Sequence, residues 1–89
     1  MQNARLLDKY YEEAQNFFKK KEFTQAIIFF DKVITLDPGF SAAYYFKAVS
    51  LNELGRKAEA IEFCEQAVSL SPDFADKIAK ICDELKSKP

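Results

Sequence analysis

The feature that most constrains the fold of this chain is an internal repeat. Residues 26–38 recur as residues 60–72, which gives an offset of 34 (72 − 38). The same offset aligns similar residues elsewhere: Tyr10 with Tyr44, Tyr11 with Tyr45, Ala14 with Ala48, Phe17 with Leu51, and Phe40 with Phe74. Because these matches cover the whole period in one register, the chain is a tandem repeat in which each copy forms one supersecondary unit.

Each repeat is predicted to contain two helices. Apolar residues recur at steps of three and four residues, as they do on one face of an α-helix. In the first segment these residues are Leu6, Leu7, Tyr10, Ala14, Phe17 and Phe18. Interruptions of the pattern predict five helices in all, at about residues 3–20, 24–36, 41–54, 57–70 and 75–86.

The connections between these helices are short and contain residues that end helices. Pro38 cannot donate a backbone hydrogen bond and disfavours the helical conformation of Asp37. Gly55 can supply the left-handed residue that often follows a helix. We expect Thr24 and Ser41 to cap the second and third helices. Because short connections make consecutive helices antiparallel, the predicted fold class is all-α.

Composition favours one small ordered domain and argues against several classes of function. The 89 residues include 13 basic and 14 acidic side chains, so the formal charge of −1 favours neither nucleic acid nor an acidic membrane as a partner. No apolar run approaches the roughly 20 residues that span a bilayer, and residues 1–5 lack the pattern of a signal peptide. We therefore expect a cytoplasmic protein. The chain has no histidine, no glycine-rich phosphate loop and no serine nucleophile motif, which argues against an enzyme and against a cofactor.

Cys64 and Cys82 are the only cysteines, at a sequence separation of 18 (82 − 64). Two cysteines without histidine do not make the usual zinc site, which takes four such ligands. Both cysteines fall on the apolar faces of predicted helices. We therefore expect two small buried thiols, with a disulfide between them as the alternative.

The repeat resembles the tetratricopeptide repeat (TPR), a helix-turn-helix unit of about 34 residues with an aromatic and then a small residue in its first helix and a proline at its end. In residues 7–40 the pattern is carried by Tyr10, Ala14, Phe17, Ala26, Phe30, Val33 and Pro38. In residues 41–74 the corresponding positions are Tyr44, Ala48, Leu51, Ala60, Cys64, Ala67 and Pro72.

The resemblance implies a TPR-type α-solenoid of five antiparallel helices. Residues 1–89 would form a single domain of two helix-turn-helix repeats, followed by a capping helix at residues 75–86. Where the family often has leucine, this chain has Glu13 and Lys47. We expect these two residues to weaken one core position in each repeat.

In this family the first helices of the repeats line a concave groove that receives a segment of a partner protein. The resemblance therefore implies a protein-interaction module or scaffold. The candidate partner-binding residues are Tyr11, Gln15, Phe18, Tyr45, Phe46, Val49, Asn52 and Lys80. Five of them are aromatic or apolar and would form a strip for a protein or peptide partner, although some could instead fill the junction between repeats. Phe46 is expected to be the most exposed, since Glu12 holds the same place in the first repeat.

One TPR subclass binds the C-terminal carboxylate of heat-shock chaperones through a clamp of lysine, asparagine and arginine side chains. The corresponding positions here hold Tyr11, Gln15, Phe46, Asp76 and Lys80, of which only Lys80 has the required charge. We therefore predict that this chain does not bind its partner through a carboxylate clamp. Rim charges would instead bias the orientation of the partner: Glu12, Asp76, Lys80 and Asp83.

Self-association is the alternative to binding a different partner. Stacked repeats usually need about three units for a continuous core, and this chain has two and a cap. Ile28 stands where the second repeat has Glu62, which leaves an apolar residue on the outer side of the second helix, near Phe23 and Phe29. A homodimer could bury this surface or the groove. The chain could also be a fragment of a longer TPR array.

Overall fold

The computed structural model describes the backbone of residues 2–71 and 75–87 and the side chains of residues 5–71 and 79–87. It contains five α-helices: α1 (Gln2–Lys19), α2 (Phe23–Leu36), α3 (Ser41–Glu53), α4 (Lys57–Leu70) and α5 (Ala75–Ser87). The described residues include no strand, so the all-α prediction is confirmed. None of the helices found there is long and apolar enough to cross a membrane. Pro72 and Phe74, which close the second repeat in the sequence, lie outside the described residues.

The turns that follow α1 and α3 have the same hydrogen-bonded geometry. Lys21 and Gly55, which occupy equivalent positions in the two repeats, have left-handed φ angles of 62° and 82°. At the end of α1 the amides of Lys21 and Glu22 donate to carbonyls of the last helical turn over 3.0 and 2.9 Å. The amides of Gly55 and Arg56 make the equivalent bonds at the end of α3, over 3.0 and 2.8 Å. Both turns are therefore Schellman motifs. The left-handed residue at Gly55 was predicted from the sequence, whereas Lys21 takes the same conformation although it is not a glycine.

Helices α2 and α3 begin without side-chain caps, so the prediction that Thr24 and Ser41 are N-caps is wrong. Glu22 and Phe40 hold the N-cap positions, and neither side chain bonds to the first turn. The backbone makes the connection instead, since the Ala26 amide donates to the Glu22 carbonyl over 3.0 Å. Because its own hydrogen bonds already fix the turn before α2, the helix begins directly from that turn.

Most of the buried apolar side chains among the described residues form two clusters, centred on the first and the second repeat. The first cluster joins α1, α2 and α3 and contains Ala14, Ala26, Phe30, Val33 and Ala43. The second cluster joins α3, α4 and α5 and contains Ala48, Leu51, Ala60, Cys64, Cys82 and Leu85. Alanines recur in both clusters, where a small side chain lets neighbouring helices approach closely. Helix α3 contributes to both clusters and therefore carries the packing from one repeat to the next.

Lys47 on α3 also links the two repeats. Its ammonium group pairs with the Asp31 carboxylate of α2 and lies 3.9 Å from the centroid of the Phe63 ring of α4. The side chain of Lys47 is 14% exposed. An ion pair and a cation–π contact thus satisfy the charge that replaces the family leucine. The expectation that Lys47 weakens a core position stays a prediction. Glu13, its counterpart in the first repeat, is partly buried.

Cys64 of α4 and Cys82 of α5 form a disulfide bond, with their Cα atoms 5.8 Å apart. The two residues are 0% and 3% exposed, so the expectation of burial is confirmed, whereas the expectation of two thiols is wrong. Both side chains lie on the apolar faces of neighbouring helices, and the distance between their Cα atoms is typical of natural disulfides.

A second link joins the same two helices. Lys86 of α5 forms an ion pair with Glu65 of α4 over 2.9 Å, and the hydrogen bond and charge of Glu65 raise the pKa of Lys86.

The two left-handed positions give a matched pair of stability predictions. Lys21→Gly should stabilise the chain by about 0.5–1 kcal/mol, because glycine adopts this conformation without the Cβ clash that costs other residues about 1–2 kcal/mol. Gly55→Lys should destabilise it by about 1 kcal/mol through backbone strain alone, since a Cβ there would meet no atom within 4 Å. Urea unfolding followed by circular dichroism measures both changes. An unchanged free energy of unfolding in both variants would contradict this explanation.

Candidate functional site

The aromatic strip predicted from the sequence consists of Tyr11 and Phe18 of α1 with Tyr45, Phe46 and Val49 of α3, and all five residues are partly buried. The centroids of the Phe18 and Phe46 rings are 5.2 Å apart, and those of Tyr45 and Phe46 are 5.1 Å apart, both in edge-to-face geometry. This is a favoured arrangement of aromatic pairs. Three of the rings therefore form one contiguous patch to which both repeats contribute.

The ring of Phe30, which belongs to the first core cluster, packs against three rings of the strip. Its ring stacks on that of Phe46 at 5.7 Å, with 10° between the ring planes. It also contacts Tyr11 at 6.2 Å and Phe18 at 6.4 Å, edge to face. Phe30 is 0% exposed, so the rings above it rest on the core while part of each stays accessible. The strip residues thus fill the junction between repeats and still present a surface.

Phe46 is partly buried, as are the other residues of the strip, so the expectation that it is the most exposed of them stays a prediction. Its contacts with three other rings leave it only partly accessible. The cause is that α3 packs against the first repeat, where Phe18 and Phe30 provide an apolar surface for it. Glu12 stands at the same place in the first repeat and is exposed, because none of the described helices covers it. Equivalent positions in the two repeats therefore differ in exposure.

The polar candidate residues are Gln15, Asn52 and Lys80, and only Gln15 makes a side-chain hydrogen bond to a residue of the strip among the described contacts. The side-chain amide of Gln15 donates to the Tyr11 hydroxyl oxygen over 2.9 Å, and the Tyr11 ring lies 4.9 Å from that of Phe40. These contacts hold Tyr11 and Gln15 before any partner binds. Asn52 is partly buried on α3, and Lys80 is exposed on α5. Within the described part of the chain, no side-chain hydrogen bond or ring contact joins Asn52 or Lys80 to the strip.

The strip is uncharged, and three of the four charges predicted for its rim are exposed. Glu12, Lys80 and Asp83 are exposed, and the side chain of Asp76 lies outside the described residues. Burial raises the pKa of Tyr45 above its ordinary value of 10.0, because a phenolate loses more hydration free energy than a phenol does. The surface is therefore suited to apolar side chains of a partner.

Two shallow depressions lie at equivalent places in the two repeats, outside the strip. One, of about 420 Å³, is lined by Tyr10, Ile28, Asp31, Lys32, Thr35 and Leu36. The other, of about 610 Å³, is lined by Pro38 and by the counterparts of those residues in the second repeat: Tyr44, Glu62, Glu65, Gln66, Ser69 and Leu70. The replacement of Ile28 by Glu62 makes the first depression more apolar than the second. Both lie on the side formed by the second helix of each repeat.

Sequence reasoning missed two features, the support of the strip by Phe30 and the ion pair between Asp31 and Lys47. It gave the bond between Cys64 and Cys82 only as an alternative. Lys47 in place of leucine was a usable signal, because a lysine on a core face needs an acidic or aromatic neighbour. Nothing in the sequence indicated which ring Phe30 would stack on.

The family model of the tetratricopeptide repeat matches residues 10–40 and 41–74. The chain belongs to the tetratricopeptide repeat family. The matched residues cover nearly all of the first repeat, the whole second repeat and most of the chain. The fold and the family together make this TPR chain a protein-protein interaction module.

Known proteins similar to this TPR chain include a eukaryotic and an archaeal one. The chain is 40% identical over 53 residues to stress-induced-phosphoprotein 1 of Caenorhabditis elegans, which covers 60% of this chain and 17% of the relative. It is 33% identical over 83 residues to an uncharacterized protein of Methanocaldococcus jannaschii, covering 93% of this chain and 96% of that protein. The chain thus matches nearly the whole archaeal relative but less than a fifth of the C. elegans one.

A solved structure shares the fold. The N-terminal domain of stress-induced protein-1 (STI-1) from C. elegans superposes with a TM-score of 0.79 at 25% sequence identity. The superposition covers 94% of this TPR chain and 73% of that domain. The arrangement of helices is therefore that of a known TPR domain.

The raised pKa of Tyr45 gives a prediction about alkaline pH. Tyr45→Phe should remove from the ultraviolet absorbance titration a phenol that ionises above pH 10.0. Because the folded-state pKa is raised, the contribution of Tyr45 to stability is present below the unfolded pKa and is lost as pH rises through the folded pKa. The difference between the two titrations isolates Tyr45 among the four tyrosines. A lost component that ionises at or below pH 10.0 would show that the phenol is not buried.

Proposed function

We propose that this TPR chain binds a peptide or helix of a partner protein in the concave groove through the aromatic strip. The observation that carries the proposal is the set of partly accessible rings of Phe18, Tyr45 and Phe46, supported by the buried Phe30. Rings held in this way lose little conformational freedom when a partner covers them, so most of their apolar contact contributes to affinity. Aromatic residues are also enriched among the residues that dominate binding energy.

The proposed mode of recognition does not use a carboxylate clamp. Tyr11 and Gln15 hydrogen-bond to each other, and Phe46 stacks on a core ring, so these three positions offer no cation to a terminal carboxylate. Lys80 is exposed and charged, but a single exposed cation gives little binding energy. The partner segment is therefore recognised by its apolar side chains, and charges near the groove bias its orientation. A cytoplasmic location and the absence of nucleic-acid and membrane partners remain predictions.

The groove proposal can be tested with peptides selected from a displayed random library against the wild-type chain. Tyr45→Glu and Val49→Glu should weaken binding of the selected peptides by at least about tenfold, because each places a charge in an apolar contact. Ile28→Glu is the matched control outside the strip and should leave the affinity unchanged. Fluorescence anisotropy measures the affinities, and circular dichroism checks that the variants keep their helical content. We avoid Phe46→Glu because Phe46 packs on the core.

The same peptides distinguish the groove from a clamp. Versions with a free C-terminal acid and with a C-terminal amide should bind within about twofold of each other, because no ring of cations recognises the terminus. A loss of tenfold or more on amidation would show that a carboxylate is recognised after all. Binding that survives both strip variants but is lost in Ile28→Glu would move the site to the outer surface of α2.

Self-association is a second candidate function, and the exposure of Ile28 favours it. Ile28 is 49% exposed and shares an open depression with Leu36, and exposed apolar surfaces of this kind often serve as contacts between proteins. Size-exclusion chromatography with light scattering should then give a mass that rises toward two chains with concentration, and Ile28→Glu should keep it at one chain. A mass of one chain for the wild type at every concentration would exclude the dimer.

A further inference from the structure

The Cys64–Cys82 disulfide occupies a position in the second repeat that the first repeat fills with apolar packing. In the register of the repeat, Cys64 is the counterpart of Phe30, and Cys82 is the counterpart of Ala48. In the first repeat the large ring of Phe30 holds the next helix, α3, by stacking on Phe46. A cysteine side chain is much smaller than a phenylalanine ring and offers less surface for such packing. In the first repeat, packing of Phe30 holds the next helix, α3. At the equivalent place in the second repeat, a covalent bond holds the next helix, α5.

Helix α5 has few other strong attachments among the described residues. Its buried side chains there are Cys82 and Leu85, and it packs chiefly against α4. The ion pair between Lys86 and Glu65 is exposed on both sides, at 46% and 57%, and exposed pairs contribute little to stability. An isolated helix of 13 residues is marginal in water. Among the described side chains, the disulfide is thus the strongest single link between α5 and the rest of the fold.

We propose that the Cys64–Cys82 disulfide is a reducible latch that controls the docking of α5 on the second repeat. When it is oxidised, α5 covers the second core cluster. When it is reduced, α5 opens far more often, and the apolar side chains that it covers, Leu51 and Ala60 among them, become transiently accessible. The first repeat does not share this link and stays folded in both states. The proposal concerns the attachment of α5 and does not depend on how the groove binds a partner.

The reaction is thiol–disulfide exchange with a dithiol reductant. One thiolate of the dithiol attacks one sulfur of the Cys64–Cys82 bond, which forms a mixed disulfide and releases the other cysteine as a thiolate. The second thiol of the reductant then attacks the mixed disulfide, so that the reductant leaves as a cyclic disulfide. Both cysteines gain a proton and become thiols, and the dithiol supplies the two electrons. Because both cysteines are buried, the reductant reaches them when α5 opens transiently.

Hydrogen exchange of the full chain, with and without dithiothreitol, tests the latch. Thiol titration in denaturant should first show no free thiols in the air-oxidised protein and two after reduction. Reduction should then speed exchange of the α5 amides by about a hundredfold, the factor expected when a closed loop of this length is opened. Exchange of the α2 amides, which serve as the internal control, should change little. A Cys64→Ala, Cys82→Ala double variant should show the fast α5 exchange with or without dithiothreitol.

Three results would overturn the proposal. Two free thiols in the air-oxidised chain would show that the bond does not form in solution. Unchanged α5 exchange after both thiols have been titrated would show that packing alone holds the helix. Equal acceleration of exchange in α2 and α5 would show that the bond stabilises the whole domain and does not act on α5 in particular.

Discussion

The burial of Phe30 is the interaction on which both the first repeat and its candidate binding surface depend. The ring is inaccessible to solvent and contacts Tyr11, Phe18 and Phe46, which come from both neighbouring helices. Truncation of a buried phenylalanine typically costs about 3–5 kcal/mol. That is a large part of the roughly 4–13 kcal/mol expected for a domain of this size. The residues that hold α1, α2 and α3 together are thus the same ones that position the accessible rings.

The two repeats share the same backbone geometry but differ in the side chains at equivalent positions. The left-handed turn residue is a lysine in the first repeat and a glycine in the second, and both turns make the same hydrogen bonds. The outer surface of the second helix carries Ile28 in one repeat and Glu62 in the other. The backbone geometry is preserved because the turns and the helix crossings require it. The exposed side chains at these positions are free to differ because the shared backbone geometry does not depend on them.

Lys47 illustrates how the junction between repeats accepts a charged residue. An isolated ammonium group on a core face would be unfavourable because it would lose hydration. Here Asp31 of the preceding helix pairs with the charge, and the Phe63 ring of the following helix lies against it. The three residues come from α2, α3 and α4. Lys47, which replaces the leucine of the family pattern, therefore contacts both repeats.

The sequence alone determined the period, the number of helices, their approximate limits and the family, because these depend on local patterns: apolar spacing, turn residues and a single repeat register. Its resemblance to the TPR family also grouped Tyr11, Phe18, Tyr45, Phe46 and Val49 as candidate groove residues, a grouping that stays a prediction. Whether Phe46 is exposed, whether Lys47 finds a partner and whether Cys64 meets Cys82 were decided only by the tertiary structure. Each of these outcomes depends on side chains from a different helix, and their distance in space is not encoded in the spacing along the chain.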